Sequence, residues 1–290
     1  MKTVVLGGCG SEKFAKQLAK HVKAAYAQPV TGYFPDGELK MRIPADVRGK
    51  HAVVVYSFQP YPGEVLIEAL FAMGACRQQG AKKVTLVAPY MGFMRQDKMF
   101  HPGEAVSNRI VAQLLSSADH IITMDPHLHR IHSLHEIFRT KTTTLTADDL
   151  LASHILKEHK NSVVVGPDEE SSQWAADVAE TAGVEHIILK KKRYTATNVR
   201  ILVKSKIPLK GRHIVIVDDI ISTGHTMIEP IKQLKQMGVK SVTCLGVHAV
   251  FAGSALQDLK SLGVKVECTN TIKNPVAKID VTKAFAGALK

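Results

Sequence analysis

The sequence predicts an α/β protein of two similar domains, each a mainly parallel sheet flanked by helices. Three observations predict it. Short apolar, β-branched runs alternate with amphipathic stretches of helical period, the pattern of strands covered by helices on both faces. A strand–loop–helix–strand unit also recurs. Arg48-Gly49-Lys50-His51 leads into the run Ala52–Val55, with Gly80-Ala81-Lys82-Lys83-Val84-Thr85 downstream; Lys210-Gly211-Arg212-His213 leads into Ile214–Val217, with Gly238-Val239-Lys240-Ser241-Val242-Thr243 downstream. The two glycine-to-glycine intervals differ by four residues, which a loop absorbs. Finally, 290 residues suit one large or two medium domains. Apolar strands resemble one another everywhere, so chance similarity of two α/β units is the alternative. The expected domains are 1–143 and 144–290, joined near Thr140–Thr146.

In chain order, apolar runs place strands at Thr3–Leu6, His51–Ser57, Lys83–Pro89, His120–Asp125, Ser162–Gly166, His186–Leu189, His213–Asp218 and Ser241–Ala249. Amphipathic spacing places helices at Ser11–Ala25, Gly63–Gln79, Val106–Ser116, Ser171–Ala182 and Thr226–Met237. Pro230 reads as an early helix position, where a missing N–H costs little.

Hydrophobic residues make up 45% of the chain and charged residues 22%, ordinary for a protein with a real core. The formal net charge of +12 suits anionic partners such as nucleotides, sugar phosphates, nucleic acid or a membrane surface, or else a solubilising surface. Aromatic content of 6% is thin for stacking on single-stranded nucleic acid. Cys9, Cys76, Cys244 and Cys268 form no close-spaced pair, which argues against a zinc knuckle or redox dithiol and for a reducing compartment. The first residues are too short an apolar run for a secretion signal, and no later run is long enough to span a membrane. A cytoplasmic protein that binds neither nucleic acid nor membrane is expected.

The run Ile214–Met227, IVIVDDIISTGHTM, carries the strongest chemistry. An apolar strand leads to Asp218-Asp219, and Ser222-Thr223-Gly224-His225-Thr226 opens a helix. Amides at such a turn cradle an anion, and the helix dipole adds positive potential. The hydroxyls of Ser222, Thr223 and Thr226 can donate to phosphate oxygens, while the carboxylates suit vicinal sugar hydroxyls. Together they would grip a ribose phosphate. A capped helix behind a solvated acidic pair is the plainer reading.

Other stretches are weaker alone. Pro89–Lys98 follows a strand of a parallel sheet, where ligands bind, and Arg95 can hold a phosphate in bidentate fashion. Gln96 and Asp97 could read an adenine edge or support Arg95. Phe34-Pro35-Asp36-Gly37-Glu38 is a turn signal with an aromatic beside it. Met124-Asp125-Pro126-His127-Leu128-His129 follows a strand. His132 and His135 share helical spacing, but no Cys or Glu completes a tetrahedral zinc set there. Lys190-Lys191-Lys192-Arg193-Tyr194 reads as a solvated loop or as a flap bringing charge to a transition state. Val163–Ser172 runs into Pro167-Asp168-Glu169-Glu170-Ser171, whose carboxylates could take a hydrated magnesium ion. Gly8-Cys9-Gly10 hints at a dinucleotide fingerprint, but Lys13 stands where its third glycine belongs.

Ile214–Met227 resembles the phosphoribosyl pyrophosphate-binding signature shared by phosphoribosyltransferases and ribose-phosphate diphosphokinases. Phe34–Glu38 and Pro89–Asp97 look like the Phe-x-(Asn/Asp)-x-Glu and Pro-Tyr-x-x-x-x-Arg-Gln-Asp segments by which the diphosphokinases bind ATP. An ordinary phosphoribosyltransferase lacks that N-terminal half. The compact length and His101-Pro102-Gly103-Glu104-Ala105 look like the shorter, archaeal-type members. The resemblance implies two phosphoribosyltransferase-type domains, 1–143 binding ATP and 144–290 binding ribose 5-phosphate. It implies transfer of the β,γ-diphosphate of ATP to ribose 5-phosphate, with magnesium (Mg2+), in a homo-oligomer.

By the same resemblance, Phe34, Asp36, Glu38, Arg95, Gln96, Asp97 and His127 serve ATP. Asp218, Asp219, Ser222, Thr223, Gly224, His225 and Thr226 serve ribose 5-phosphate. His127 and Asp168 attend the metal. Lys191 and Arg193 match the family's catalytic Lys-x-Arg pair, with Lys190 as the one-residue alternative. Many members carry small residues after Pro-Asp, where this chain has Glu169, Glu170 and Ser171. A phosphoribosyltransferase or a non-catalytic regulatory relative of the same fold are the alternatives.

Overall fold

The apolar runs of the two halves build two six-stranded sheets of matching topology. The structure is a computed structural model that describes residues 1–128, 130–167, 171–193, 199–202 and 207–290, with the backbone alone at 172–173, 190–193 and 199–202. In the first half the elements are β1 (Thr3–Gly7), α1 (Glu12–His21), β2 (Ala25–Ala27), β3 (Val30–Tyr33), β4 (Leu39–Arg42), β5 (His51–Val55), α2 (Pro62–Gln78), β6 (Lys83–Ala88), α3 (Ser107–Leu115), β7 (His120–Met124) and β8 (Lys141–Leu145). In the second they are α4 (Asp148–Glu158), β9 (Val163–Gly166), α5 (Ser172–Ala182), β10 (Glu185–Ile188), β11 (Lys190–Arg193), β12 (Val199–Leu202), β13 (His213–Ile221), α6 (His225–Gln236), β14 (Ser241–Ala249), α7 (Ala255–Ser261), β15 (Lys265–Thr269), β16 (Ala277–Ile279) and α8 (Thr282–Ala288).

The sheets run β2-β1-β5-β6-β7-β8 and β10-β9-β13-β14-β15-β16, parallel at every pairing. Each has an antiparallel hairpin between its second and third strands in chain order, β3–β4 in one and β11–β12 in the other. The repeat extends to single hydrogen bonds. Gly49 N–H donates to Gly80 C=O at 2.8 Å and Lys82 N–H to Lys50 C=O at 2.9 Å; Gly211 donates to Gly238 at 2.9 Å and Lys240 to Arg212 at 2.8 Å. All four glycines have positive φ, between +67° and +86°, a region that glycine enters without steric cost. The recurrent glycines are therefore required by the turns, which sets aside chance similarity.

Strands β5 and β7 are buried along their whole length, as expected of strands covered on both faces. In the second half, Val163, Val165, Ile214, Ile216, Met227 and Leu234 join one core cluster. Each such side chain contributes about 1.5–3 kcal/mol of burial.

The chain divides into a first unit, Met1–Leu145 with Thr271–Lys273 and Val281–Lys290, and a second, Thr146–Asn270 with Asn274–Asp280. The expected domain of 144–290 is thus too inclusive at its end. Phe285 of α8 packs edge-on against Phe14 of α1, with ring centroids 5.4 Å apart, so the last helix belongs to the first unit's core. The expected joining segment at Thr140–Thr146 is mostly strand β8, paired in parallel with β7.

Three further boundaries differ. Strand β13 continues to Ile221, because β14 is nine residues long and pairs with it as far as Ala249. The acidic pair therefore lies inside the strand. Helix α1 stops at His21, and Ala25 belongs to β2, which pairs with β1. Pro230 sits in the second turn of α6, so one intrahelical hydrogen bond is lost there.

Gly8 has a structural task that explains the decoy fingerprint. A Cβ at Gly8 would lie 1.9 Å from Cε1 of Tyr56, a fully buried ring. Gly8→Ala is expected to destabilise the chain by about 3 kcal/mol, the upper end for overpacking. A lowered urea midpoint with unchanged m-value would register it.

Candidate active site

The phosphate-binding candidate is built by β13 and α6. The strand carries Asp218 and Asp219 half-buried, the first accepting from the Asp219 N–H at 3.1 Å. Gly224 caps the helix at φ +75°, ψ −6°, a left-handed turn that a side chain would strain. Its carbonyl accepts from Met227 and Ile228, both at 2.9 Å. No side chain caps α6, so the amides ahead of Met227 remain the unsatisfied donors of a helix N-terminus. Thr223, His225 and Thr226 are exposed around them, with His225 Nδ1 and Thr223 Oγ1 3.1 Å apart. Donors, dipole and carboxylates thus come from one continuous segment.

The equivalent strand end in the first unit, after β5, carries different residues. Tyr56 and Phe58 are fully buried, with amides bonded to Val87 C=O at 3.0 Å and Tyr90 C=O at 3.1 Å. Tyr56-Ser57 stands where the second unit has Asp218-Asp219, and Ser57 donates from Oγ to Thr271 C=O at 2.6 Å. An acidic doublet ahead of an uncapped helix start is thus found at β13–α6 and not at β5–α2.

The nucleotide candidates of the first unit follow three elements. Phe34–Glu38 forms the tip of hairpin β3–β4, where Phe34 N–H donates to Glu38 C=O at 2.8 Å and Glu38 N–H to Asp36 Oδ1 at 3.1 Å. Gly37 turns the chain at φ +91°. Phe34 is 49% exposed, a large ring offered to solvent, and Lys40 Nζ lies 5.3 Å from its centroid.

Arg95, Gln96 and Asp97 follow β6. Arg95 is exposed. Gln96 is committed to its own loop, accepting from Ser107 Oγ at 3.1 Å and donating to Glu104 at 3.3 Å. Asp97 is buried and pairs with Arg130 at 2.7 Å, which ties the loop after β6 to the loop after β7. Its other oxygen, Oδ2, is buried without a hydrogen-bond partner among the described residues. His127 is half-buried in that second loop. The loop opens at Asp125, whose φ of +36° is a strained value for a side-chain-bearing residue and a mark of constrained, often functional, positions.

Sequence reasoning missed Glu104 and Arg130. Glu104 gathers its loop by accepting from the amides of Phe100 at 2.8 Å and His101 at 3.1 Å. Neither had a spacing signal, since Arg130 meets Asp97 across two strands of sheet.

Lys191 and Arg193 were expected on a loop. Their backbone is strand β11, with Lys191 opposite Ile201 and Arg193 opposite Val199 in antiparallel register. Asp168, Glu169, Glu170, His129 and Tyr194 lie outside the described residues.

Among the described residues, no helix is long and apolar enough to cross a membrane. Residues 3–118 match the family model for the N-terminal domain of ribose phosphate pyrophosphokinase, and residues 133–284 the phosphoribosyl transferase domain. The chain is 35% identical over 291 residues to a ribose-phosphate pyrophosphokinase of Methanopyrus kandleri, covering 99% of this chain and 98% of that one. It is 37% identical over 278 residues to ribose-phosphate pyrophosphokinase 2 of Archaeoglobus fulgidus, covering 95% and 96%. A crystal structure of phosphoribosylpyrophosphate synthetase from Mycobacterium smegmatis superposes with a TM-score of 0.86 at 27% identity, covering 100% of this chain and 98% of that one. Two matching sheets and these full-length likenesses agree: the chain belongs to the ribose-phosphate pyrophosphokinase family.

Proposed function

We propose that this chain transfers the β,γ-diphosphate of ATP to the 1-hydroxyl of ribose 5-phosphate, giving phosphoribosyl pyrophosphate and AMP. One observation supports it above others. The acidic doublet Asp218-Asp219 stands ahead of the uncapped start of α6, whereas the matching strand end of the first unit carries Tyr56-Ser57, which favours different ligands for the two related units.

The 1-hydroxyl oxygen attacks the β-phosphorus in line. The bond from that phosphorus to the bridging oxygen of the α-phosphate breaks, AMP leaves with that oxygen, and the hydroxyl proton passes to solvent. Asp218 and Asp219 accept from the ribose hydroxyls. Ser222, Thr223 and Thr226, with the amides of Gly224–Thr226 and His225 beside them, hold the 5-phosphate. Phe34 stacks on adenine while Asp36 and Glu38 accept from its amino group. Arg95 takes a phosphate, and the unpartnered Oδ2 of Asp97 is a ready acceptor for a ligand donor. Lys191 and Arg193 meet the charge that develops on the transferred group.

Magnesium would be held chiefly by phosphate oxygens and water, with the imidazole of His127 and, on the family resemblance, the carboxylate of Asp168 as the protein groups that would serve it. Such an ion supplies neutralisation of phosphate charge. A cytoplasmic homo-oligomer belongs to the same reading.

Phosphorus NMR of the chain with ATP, ribose 5-phosphate and magnesium is expected to show AMP and phosphoribosyl pyrophosphate growing in equal amounts. Absence of AMP, with pyrophosphate released only from phosphoribosyl pyrophosphate and a base, would favour a phosphoribosyltransferase. Neither reaction would favour a non-catalytic relative.

A further inference from the structure

The second unit carries a cluster that the proposed reaction does not use. Nε2 of His154 and Nε2 of His159 both reach Oε2 of Glu267, at 2.8 Å and 2.7 Å. The ligand atoms of all three residues lie within 4.8 Å of one another, the one such group among the described residues. The side chains are only 11–13% exposed. The fold brings them together in an unobvious way. Residues five apart on a regular helix point to different faces. His159, however, is the C-cap of α4 at φ −130°, ψ 36°, so the chain has left the helix and its ring returns to the side of His154. The rings meet edge to face with centroids 5.6 Å apart. Glu267 rises from β15 to meet them.

We propose that His154, His159 and Glu267 form a zinc-class divalent cation site, distinct from the magnesium of the reaction. Two imidazoles and one carboxylate are a set that holds zinc at three positions and leaves the fourth to water. Magnesium and calcium prefer oxygen ligands and are poorly served by two imidazoles, whereas zinc and its late first-row neighbours accept them. One carboxylate with two neutral imidazoles also leaves the cation's charge partly balanced. Each Nε2 already lies against the carboxylate, so taking up a metal requires the ligand atoms to part by only about half an ångström, given metal–ligand distances of about 2.0–2.2 Å. Bound there, the ion cross-links the end of α4 to β15. Register places Glu267 opposite Leu245 of β14, and β14 intervenes between it and Asp218 of β13. The cluster is thus separate from the ribose 5-phosphate residues.

The test is zinc binding by the full chain, stripped with chelator and dialysed against zinc chloride in excess magnesium. The parent is expected to retain one more zinc per chain than His154→Gln/His159→Gln, and to gain a zinc-dependent rise in melting temperature that the variant lacks. Equal zinc content in parent and variant, or displacement of the parent's zinc by magnesium, overturns the proposal. Should the variant not fold, anomalous diffraction at the zinc edge from parent crystals decides. A peak bounded by His154, His159 and Glu267 supports the site, and no peak there at saturating zinc overturns it.

Discussion

Lys191→Ala lowers turnover of diphosphate transfer by on the order of 10²-fold or more while the KM for ribose 5-phosphate changes little. Phosphoryl transfer relies on positioning and electrostatics, and the charge on the migrating group peaks in the transition state. A cation engaged only there affects turnover, whereas the proposed cradle at Ser222–Thr226 would act on ground-state binding. The strand β11 that carries Lys191 is paired by its backbone to β12, so the substitution removes charge without removing the pairing. Steady-state kinetics with both substrates varied provides the check. Unchanged turnover refutes the role, and a matching loss at Lys190 instead of Lys191 shifts the assignment by one residue.

Acid is expected to weaken the first unit well above the carboxylate range. His51 and His120 are 7% and 5% exposed, at the starts of β5 and β7, with Nε2 bonded to Thr85 Oγ1 at 2.7 Å and to Thr143 Oγ1 at 2.8 Å. Burial holds both pKa values down to about 4, assisted by Lys83 at His51 and by Lys141 at His120. In the unfolded chain they would take a proton near pH 6.5. Between those values the unfolded state binds more protons, so stability is full above about pH 6.5 and falls as the pH drops toward 4. The loss by pH 5 is roughly 2 kcal/mol per histidine, a large share of a typical 5–15 kcal/mol. Urea midpoints at pH 7 and pH 5 measure it. His51→Gln/His120→Gln is expected to flatten the difference; an equally steep loss in that variant would assign the acid sensitivity elsewhere.

The central strands were legible because they are uninterrupted apolar runs, and the duplication because Gly49, Gly80, Gly211 and Gly238 each sit at a turn that needs positive φ. Hairpin β3–β4 was not legible, since its strands are only four residues long and none of their side chains is fully buried. Strand β8, LysThrThrThrLeu, is a polar edge strand that reads as a linker. Helix α8 could not be assigned to the first unit, because only the distant Phe14 shows where Phe285 packs. At the candidate site, residues within one segment, such as Asp218–Thr226, were readable. The Asp97–Arg130 pair and the role of Glu104 depend on loops that meet in space. The His154–His159–Glu267 cluster was hidden for a like reason, its third member lying more than a hundred residues downstream on another element.

The glycine turns shared by the two halves, together with the unlike residues that follow Val55 and Val217, have a consequence for how such a chain diverges. With the scaffold pinned by those turns, the strand ends are free to differ, Tyr56-Ser57 in one half and Asp218-Asp219 in the other, so one blueprint carries two surfaces of unlike chemistry.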